Sequence, residues 1–346
     1  MSDNKGYRFS FGPWNINEGG DPFGPQVRPT LSFAKKLGRY KALGFEGVQF
    51  HDDDAVPDLE GLSPKQLTEK AAEMKQVLHG EGLVCEFIAP RLWEDKRGID
   101  GGFTANDPKV REWAFDRAKK CADIANALDT NMIVLWLARE GTYIREAKDA
   151  IVAYQRILEL VNALLDYNPN IEIAIEPKPN EPMDHAYVPT IGHALAISGM
   201  SKDPARVGGL IETAHAILAG LDPSDEMAFA LAAGKLLSVH LNDQNGLKFD
   251  QDKSFGAANL RMAYNQVRVL ELADYAATGR FVGLDVKAMR TQQGECVTDH
   301  LANSRKIFLH LVDKVRSFDK NLEKKLIESR DYEALEMAVL AHIMGL

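Results

Sequence analysis

The segment Glu176-Pro177-Lys178-Pro179-Asn180-Glu181-Pro182 sets two carboxylates and an ammonium into a proline-stiffened turn, directly after the apolar stretch Ile171–Ile175. Pro177 and Pro179 lack a backbone N–H and have φ fixed, so the chain cannot continue there as an interior strand or enter a helix. Glu176 and Lys178 are two residues apart and in extended chain point to the same side. A carboxylate beside a lysine at the end of a strand suits a site that binds a metal and polarises a substrate oxygen. Taken alone, the heptapeptide also reads as a surface turn with an ion pair. Other groups of the same character recur along the chain: His51-Asp52-Asp53-Asp54, Trp136 followed by Arg139-Glu140, Glu212 with His215, His240 with Asn242, Asp250 with Asp252, and Asp285 followed by Lys287 and Arg290.

Bringing Glu176, Glu212, Asp250, Asp252 and Asp285 to one place without compensation would be severely repulsive, because like charges at close range raise pKa values or require cations. Divalent metals are the simplest answer. Asp250-x-Asp252 offers two oxygen donors from one short loop, and Glu212 and His215, three apart, reach a common point if the chain turns helically there. Each element alone is weak, since an Asp-x-Asp is commonly a solvated turn and a lone histidine commonly structural. His79, His300, His310 and His342 fall in helical segments and read as structural. Asp52 and Asp53 read as loop-capping or solvated. The signal lies in the joint occurrence in strand order.

The elements that must position these groups are short apolar runs alternating with longer helical periodicities. Candidate strands are Tyr7–Phe11, Gly47–Phe50, Val84–Ile88, Met132–Trp136, Glu172–Glu176, Val207–Ile211, Leu236–His240 and Phe281–Asp285. Candidate helices are Leu31–Leu43, Pro64–Glu81, Pro108–Leu128, Ala147–Tyr167, Ile191–Gly199, Asp225–Ala233, Leu260–Thr278 and Thr298–Arg316. Apolar strands of this kind are buried on both faces, as in a parallel sheet covered by helices. Eight strand–helix units without a composition break predict an α/β fold, a (β/α)8 TIM barrel over residues 1–316. The polar groups fall at or just past the C-terminal ends of its strands, where such barrels carry their active sites. No Gly-x-Gly-x-x-Gly follows the first strand, which argues against a doubly wound dinucleotide fold. Residues 317–346, rich in Lys, Glu, Leu and Ala, predict a short helical C-terminal arm, packed on the barrel or reaching a neighbouring subunit.

Composition bounds the function classes. The 346 residues are 45% hydrophobic and 26% charged, with a net charge of −9 and no basic block, which disfavours a nucleic-acid or anionic-membrane partner. Cys85, Cys121 and Cys296 form no CxxC pair, so neither a disulfide framework nor a cysteine zinc site is indicated, and Cys85 and Cys121 are expected as buried, reduced core residues. The N-terminus lacks a hydrophobic signal core and nowhere do eighteen apolar residues run together, so a cytoplasmic location is expected.

These residues resemble the xylose (glucose) isomerase family. The matching motifs are Phe11-Gly12-Pro13-Trp14, Asp21-Pro22-Phe23-Gly24, Phe50-His51-Asp52-Asp53-Asp54, Gly101-Gly102-Phe103-Thr104-Ala105-Asn106-Asp107, Trp136 with Arg139-Glu140-Gly141, and the heptapeptide at 176–182. They continue through Glu212-Thr213-Ala214-His215, Lys248-Phe249-Asp250-Gln251-Asp252 and Asp285-x-Lys287. The resemblance implies a sugar substrate, a homo-oligomer (dimer or tetramer) and two divalent metal ions per subunit. Metal 1 would be held by Glu176, Glu212 and Asp285, and metal 2 by Glu212, His215, Asp250 and Asp252, with Glu212 bridging. Lys178 would bind the carbonyl oxygen O1, and His51, oriented by Asp54, would assist opening of the sugar ring. Trp14 and Trp136 would form apolar walls, and Phe23 would reach a neighbouring subunit's site. The reaction implied is aldose–ketose isomerisation by a metal-assisted 1,2-hydride shift, with Lewis-acid assistance at O1 and O2.

The departures matter as much. The fourth ligand of metal 1, ordinarily an aspartate, is here His240, a feature shared with L-rhamnose isomerases and the tagatose/psicose 3-epimerases. Imidazole for carboxylate removes a negative charge and adds a nitrogen donor, which favours Mn2+ or Co2+ over Mg2+. Leu137-Ala138 stand in place of two glycines, and Ala89-Pro90-Arg91-Leu92-Trp93 replaces a segment offering threonine hydroxyls and a phenylalanine, with Trp93 a further pocket residue. The preferred aldose is therefore expected to differ from D-xylose. The alternatives are a ketose 3-epimerase on the same barrel, which would not need Lys178 or Asp250 and Asp252, and a non-catalytic sugar-binding homologue, which would not need all of them together.

Overall fold

The computed structural model describes residues 4–21, 23–293 and 297–346. Cys296, and Pro22 of the Asp21–Gly24 motif, lie outside these residues. Eight parallel strands close into a barrel: β1 (Arg8–Phe11), β2 (Gly47–His51), β3 (Val84–Ala89), β4 (Met132–Trp136), β5 (Glu172–Glu176), β6 (Val207–Glu212), β7 (Leu236–Leu241) and β8 (Phe281–Leu284). Each pairs with its sequence neighbours and β8 returns to β1, so the barrel itself has no open edge. Short strands of β-branched, aromatic and leucine residues suit this arrangement because their outward faces are covered by helices and their inward faces fill the barrel. Phe87, Ala89, Met132, Val134, Ala174, Leu210 and Leu237 form a separate small apolar cluster, while the larger core joins the strands to the helices.

Helix starts follow the local sequence. Ser63 accepts a hydrogen bond from Gln66 N, the Gln66 side chain accepts one from Ser63 N, and Pro64 occupies the first turn. Asp107, Asp149 and Asp222 cap the helices Pro108–Ala127, Ala150–Tyr167 and Pro223–Ala232. Several expected helices are shorter than the periodicity implied, Leu31–Leu43 among them, which forms as Phe33–Ala42. The Asp149 cap moves one start from Ala147 to Ala150, leaving Arg145–Ala147 as a 3-10 turn. The helix Leu260–Leu272 ends early because Asp274 adopts φ +49°, after which Tyr275–Thr278 form a separate 3-10 turn. Beyond the last barrel helix, Asp299–Ser317, the chain forms two helices, Lys320–Glu328 and Tyr332–Met344. They lie against the barrel's own helices through Arg268–Glu323 at 2.8 Å, an Arg261–Glu336 ion pair, and Lys314 Nζ donating to His342 O at 2.6 Å. Cys85 and Cys121 are free and buried. Among the described residues no helix is long and apolar enough to cross a membrane.

Candidate active site

Strand register brings the chemistry together. Trp136 pairs with Glu176 across β4 and β5, Glu212 with His240 across β6 and β7, and His240 with Gly283 across β7 and β8. Gly283 matters because a Cβ there would meet Gln49 Nε2 at 2.2 Å and His240 Cδ2 at 3.1 Å, so the glycine makes room for the imidazole. Just past β6 the chain turns into the short helix Thr213–Leu218, which carries His215 back over Glu212. The loop after β7 supplies Asp250 and Asp252, with Asp252 at φ +45° and its carbonyl accepting from Lys287 N at 2.8 Å.

Among the described residues three groups of potential metal ligands result: Glu176, Glu212 and His215; Glu212, His240 and Asp285; and Glu212, Asp250 and Asp252. Glu212 belongs to all three. His240 Nδ1 lies 3.5 Å from Glu176 Oε1, 3.8 Å from Glu212 Oε2 and 3.9 Å from Asp285 Oδ2, too far for good hydrogen bonds. Neither ring nitrogen of His240 has a hydrogen-bond partner, although the side chain is buried, and the same holds for His215 Nδ1 and Asp250 Oδ1. Buried orphans of this kind are rare. Two donors bonded to one first-row cation stand roughly 3–3.5 Å apart, so this spacing fits ions between the side chains better than direct bonds among them. Lys178 Nζ sits 2.8 Å from Asp250 Oδ2 and faces the Trp136 ring at 5.3 Å, and Lys287 pairs with Asp252.

Electrostatics agree. Burial drives Glu212 and Asp252 well above the usual carboxylate range. Burial also opposes the charge on His240 and His215, yet Glu176 beside the first and Glu212 beside the second raise both. Glu176 is held low, against its burial, by the neighbouring imidazoles. Without a cation, protons must neutralise the cluster, and metal ions would supply that positive charge directly. The residues present therefore fit a dinuclear divalent centre.

The remaining expected residues fall as follows. His51 Nδ1 is 2.9 Å from Asp54 Oδ2, and Trp14 packs over the His51 ring at 4.5 Å while its Nε1 donates to Asp285 Oδ1. Trp93 stands 5.1 Å from His51 and 4.5 Å from Trp136, so the three tryptophans form one wall. Phe23 is set apart, 83% exposed, with the Phe249 ring 6.3 Å away.

Asp52 corrects the solvated half of the reading and bears out the capping half, its Oδ1 accepting from Asp53 N and Arg91 N, while Asp53 is half-buried. Asp52 is fully buried and bonded twice by Arg117, whose Nε and Nη2 lie 2.7 and 2.8 Å from its oxygens, and Arg117 Nη2 also reaches Asp53 Oδ2 at 3.0 Å. Together they anchor the helical turn Asp52–Ala55 that presents Asp54. Sequence reasoning assigned no role to Arg91, which contacts His51, Asp53 and Asp54. It grouped Asn242 with His240 but gave it no role of its own; its Nδ2 donates to Glu212 and Asp252 while its Oδ1 accepts from Ala214 N. The Asn two residues after His240 on a strand end was the available signal for the second, and nothing local marked the first.

A family model described as a xylose isomerase-like TIM barrel matches residues 37–277. A xylose isomerase from Thermus caldophilus is 33% identical over 332 residues, covering 94% of this chain and 84% of that one. Among solved structures, a D-tagatose 3-epimerase-like protein superposes with a TM-score of 0.64 at 13% identity, covering 89% of this chain and 98% of its own. The 3-keto-D-glucoside 4-epimerase of E. coli gives 0.61 at 13% identity, covering 87% and 99%. At such identities these structures share the fold alone. Barrel, motifs and the 33% relative converge on one statement: the chain belongs to the xylose isomerase-like TIM-barrel family.

Proposed function

We propose that this protein is a divalent-metal-dependent aldose–ketose isomerase acting on a small sugar by a 1,2-hydride shift. In that reaction the C2–H bond breaks as a C1–H bond forms with the same electron pair, the proton leaves O2, and O1 gains a proton. The observation that carries the reading is His240: a buried imidazole with both nitrogens unbonded, amid Glu176, Glu212 and Asp285, with Lys178 close by. Glu176, Glu212, His240 and Asp285 would hold one metal, and Glu212, His215, Asp250 and Asp252 the second. Bound there, the two cations would lend Lewis acidity to the adjacent sugar oxygens.

The chain's own residues do the rest. Burial opposes the charge on Lys178, but Asp250, Glu212 and Asp252 together outweigh it, so Lys178 stays cationic and donates to O1 as negative charge develops there. Trp14, Trp93 and Trp136 exclude water from the path of the migrating hydrogen. Asn242 holds Glu212 and Asp252 in register. Phe23, exposed on its own subunit, is assigned to a neighbouring subunit's pocket in a homo-oligomer. The identity with the Thermus caldophilus enzyme supports the reaction type, and the altered Ala89–Trp93 segment leaves the preferred aldose open to a different sugar. The test is ketose formation from a panel of aldoses by EDTA-stripped protein given back single metals. Ketose should appear with Mn2+ or Co2+ more readily than with Mg2+, because His240 brings nitrogen to the first metal. Better recovery with Mg2+ would remove His240 from the ligand set, and no ketose with any metal would defeat the isomerase reading.

A further inference from the structure

Asp285 stands just past β8, with its side chain 18% exposed and its Oδ2 3.9 Å from His240 Nδ1. The other oxygen is already engaged, because Oδ1 accepts from Trp14 Nε1 at 2.9 Å. The Trp14 ring also packs over His51 at 4.5 Å, so one side chain reaches both the aromatic wall of the pocket and a candidate metal ligand.

The turn that carries Trp14 is fixed residue by residue. A Cβ on Gly12 would meet the Trp14 ring at 2.2 Å, so only glycine leaves the indole this place. Pro13 has its φ set by its own ring, and Asn15 Oδ1 accepts from Gly12 N at 2.8 Å. Tyr40 donates to Gly12 O at 3.0 Å, and Lys36 donates to Pro13 O at 2.8 Å. The chain beside Asp285 is tied down as well. Asn15 Nδ2 donates to Val286 O at 3.1 Å, and Lys287 N donates to Asp252 O at 2.8 Å.

An indole N–H can only donate and a carboxylate can only accept, so the Trp14–Asp285 bond has one sense. A buried tryptophan N–H needs an acceptor, and a backbone carbonyl would meet that need. Here the acceptor is instead a side chain of the Glu212, His240 and Asp285 group. With Oδ1 held by a rigid donor, the carboxylate cannot rotate freely, and Oδ2 is the oxygen left on the side of His240. Groups that hold a ligand in this way tune metal affinity nearly as strongly as the ligands themselves.

We propose that Trp14 is a positioning residue for the first metal: its indole N–H pins Asp285 Oδ1 so that Asp285 presents Oδ2 to the ion. This rests on the reading of Asp285 as a metal ligand and adds a coupling to it. An ion in the first site steadies Asp285, Asp285 steadies the indole, and the indole lies against His51. By linkage, whatever the wall contributes to the metal, the metal returns to the wall.

The test joins calorimetric Mn2+ titration of the full chain with exchange of its indole N–H groups, and neither measurement needs turnover. Trp14→Phe keeps a ring on the wall and removes the donor. It should weaken one of two Mn2+ sites by about tenfold or more and leave the other unchanged. Two unaltered sites overturn the proposal, as does equal weakening of both, which would mark a general loosening of the fold. The second readout uses the wild type, with the Trp14 signal assigned by its loss in Trp14→Phe. The Trp14 N–H should exchange with D2O about tenfold or more slowly in Mg2+ than in EDTA. Trp113, whose Nε1 donates to Glu60 at 2.9 Å, is the internal control and should exchange alike in both. A Trp14 exchange rate indifferent to Mg2+ overturns the coupling. A wild type that binds no divalent ion overturns the proposal together with the metal-dependent reading. Failure of every sugar to give ketose defeats the isomerase reading and leaves the proposal standing.

Discussion

At the scale of single residues, the account turns on Glu212. It shares a potential site with Glu176 and His215, with His240 and Asp285, and with Asp250 and Asp252, so under the proposed function it is the residue that would serve both ions. Glu212→Gln should therefore weaken both metal sites by about 100-fold or more, whereas Asp252→Asn should weaken one. Calorimetric titration with Mn2+ reads this directly, and loss of a single site in Glu212→Gln would show that the carboxylate does not bridge. The residue types at the strand ends were legible because a (β/α)8 pattern says where its chemistry must lie. Arg91 was not legible. Its approach to His51 depends on β2 and β3 pairing His51 with Ala89, a register that no local motif records.

At the scale of elements, the loop motif at 101–107 and the segment after β4 are one structure. The buried Glu140 carboxylate accepts from Gly102 N, Phe103 N, Thr104 N and Thr104 Oγ1 at 2.5–3.0 Å. Lys148 closes the same cluster, donating to Asp100 O at 2.6 Å, Gly141 O at 3.2 Å and Thr104 Oγ1 at 3.3 Å. Arg139 beside it donates to Trp93 O at 3.0 Å, so this cluster also steadies the tryptophan wall. In Glu140→Gln an amide donor would face backbone donors that have no other partner. Unfolding free energy should fall by about 3 kcal/mol, read from urea midpoints, and a loss below about 1 kcal/mol would mean that water replaces the carboxylate. Strand positions were legible to within a residue because apolar runs bounded by turn residues leave little freedom. The ends of helices were less so: a single residue in an unusual conformation, Asp274, breaks a segment whose periodicity continues.

At the scale of the whole molecule, the barrel closes where β8 meets β1, and His300 fastens the last barrel helix to the first loop. Its Nε2 donates to Asn15 O at 2.8 Å, and Asn15 Nδ2 donates in turn to Val286 O after β8. Burial pushes the His300 pKa down from 6.5 to about 4, although the Asn15 carbonyl pulls the other way. The unfolded chain then binds the extra proton between those values, so this contribution is complete above pH 6.5 and is lost as the pH falls towards 4. Between pH 7 and pH 5 the wild type should lose about 2 kcal/mol that His300→Gln does not lose, measured by urea unfolding in EDTA so that metal release is common to both. Equal acid sensitivity in the two proteins would contradict the buried neutral imidazole. The eightfold strand–helix alternation made the closed barrel legible. His300 read only as structural, because its partner lies at the other end of the sequence.

The most direct test of the central claim is conversion of an aldose by the Mn2+-loaded protein in D2O, with the product examined for deuterium at the carbon that gains hydrogen. A hydride shift within the water-excluding tryptophan wall predicts ketose free of solvent deuterium at C1. Ketose carrying deuterium at C1 would mean proton transfer through an enediol, and the account of this site would be wrong.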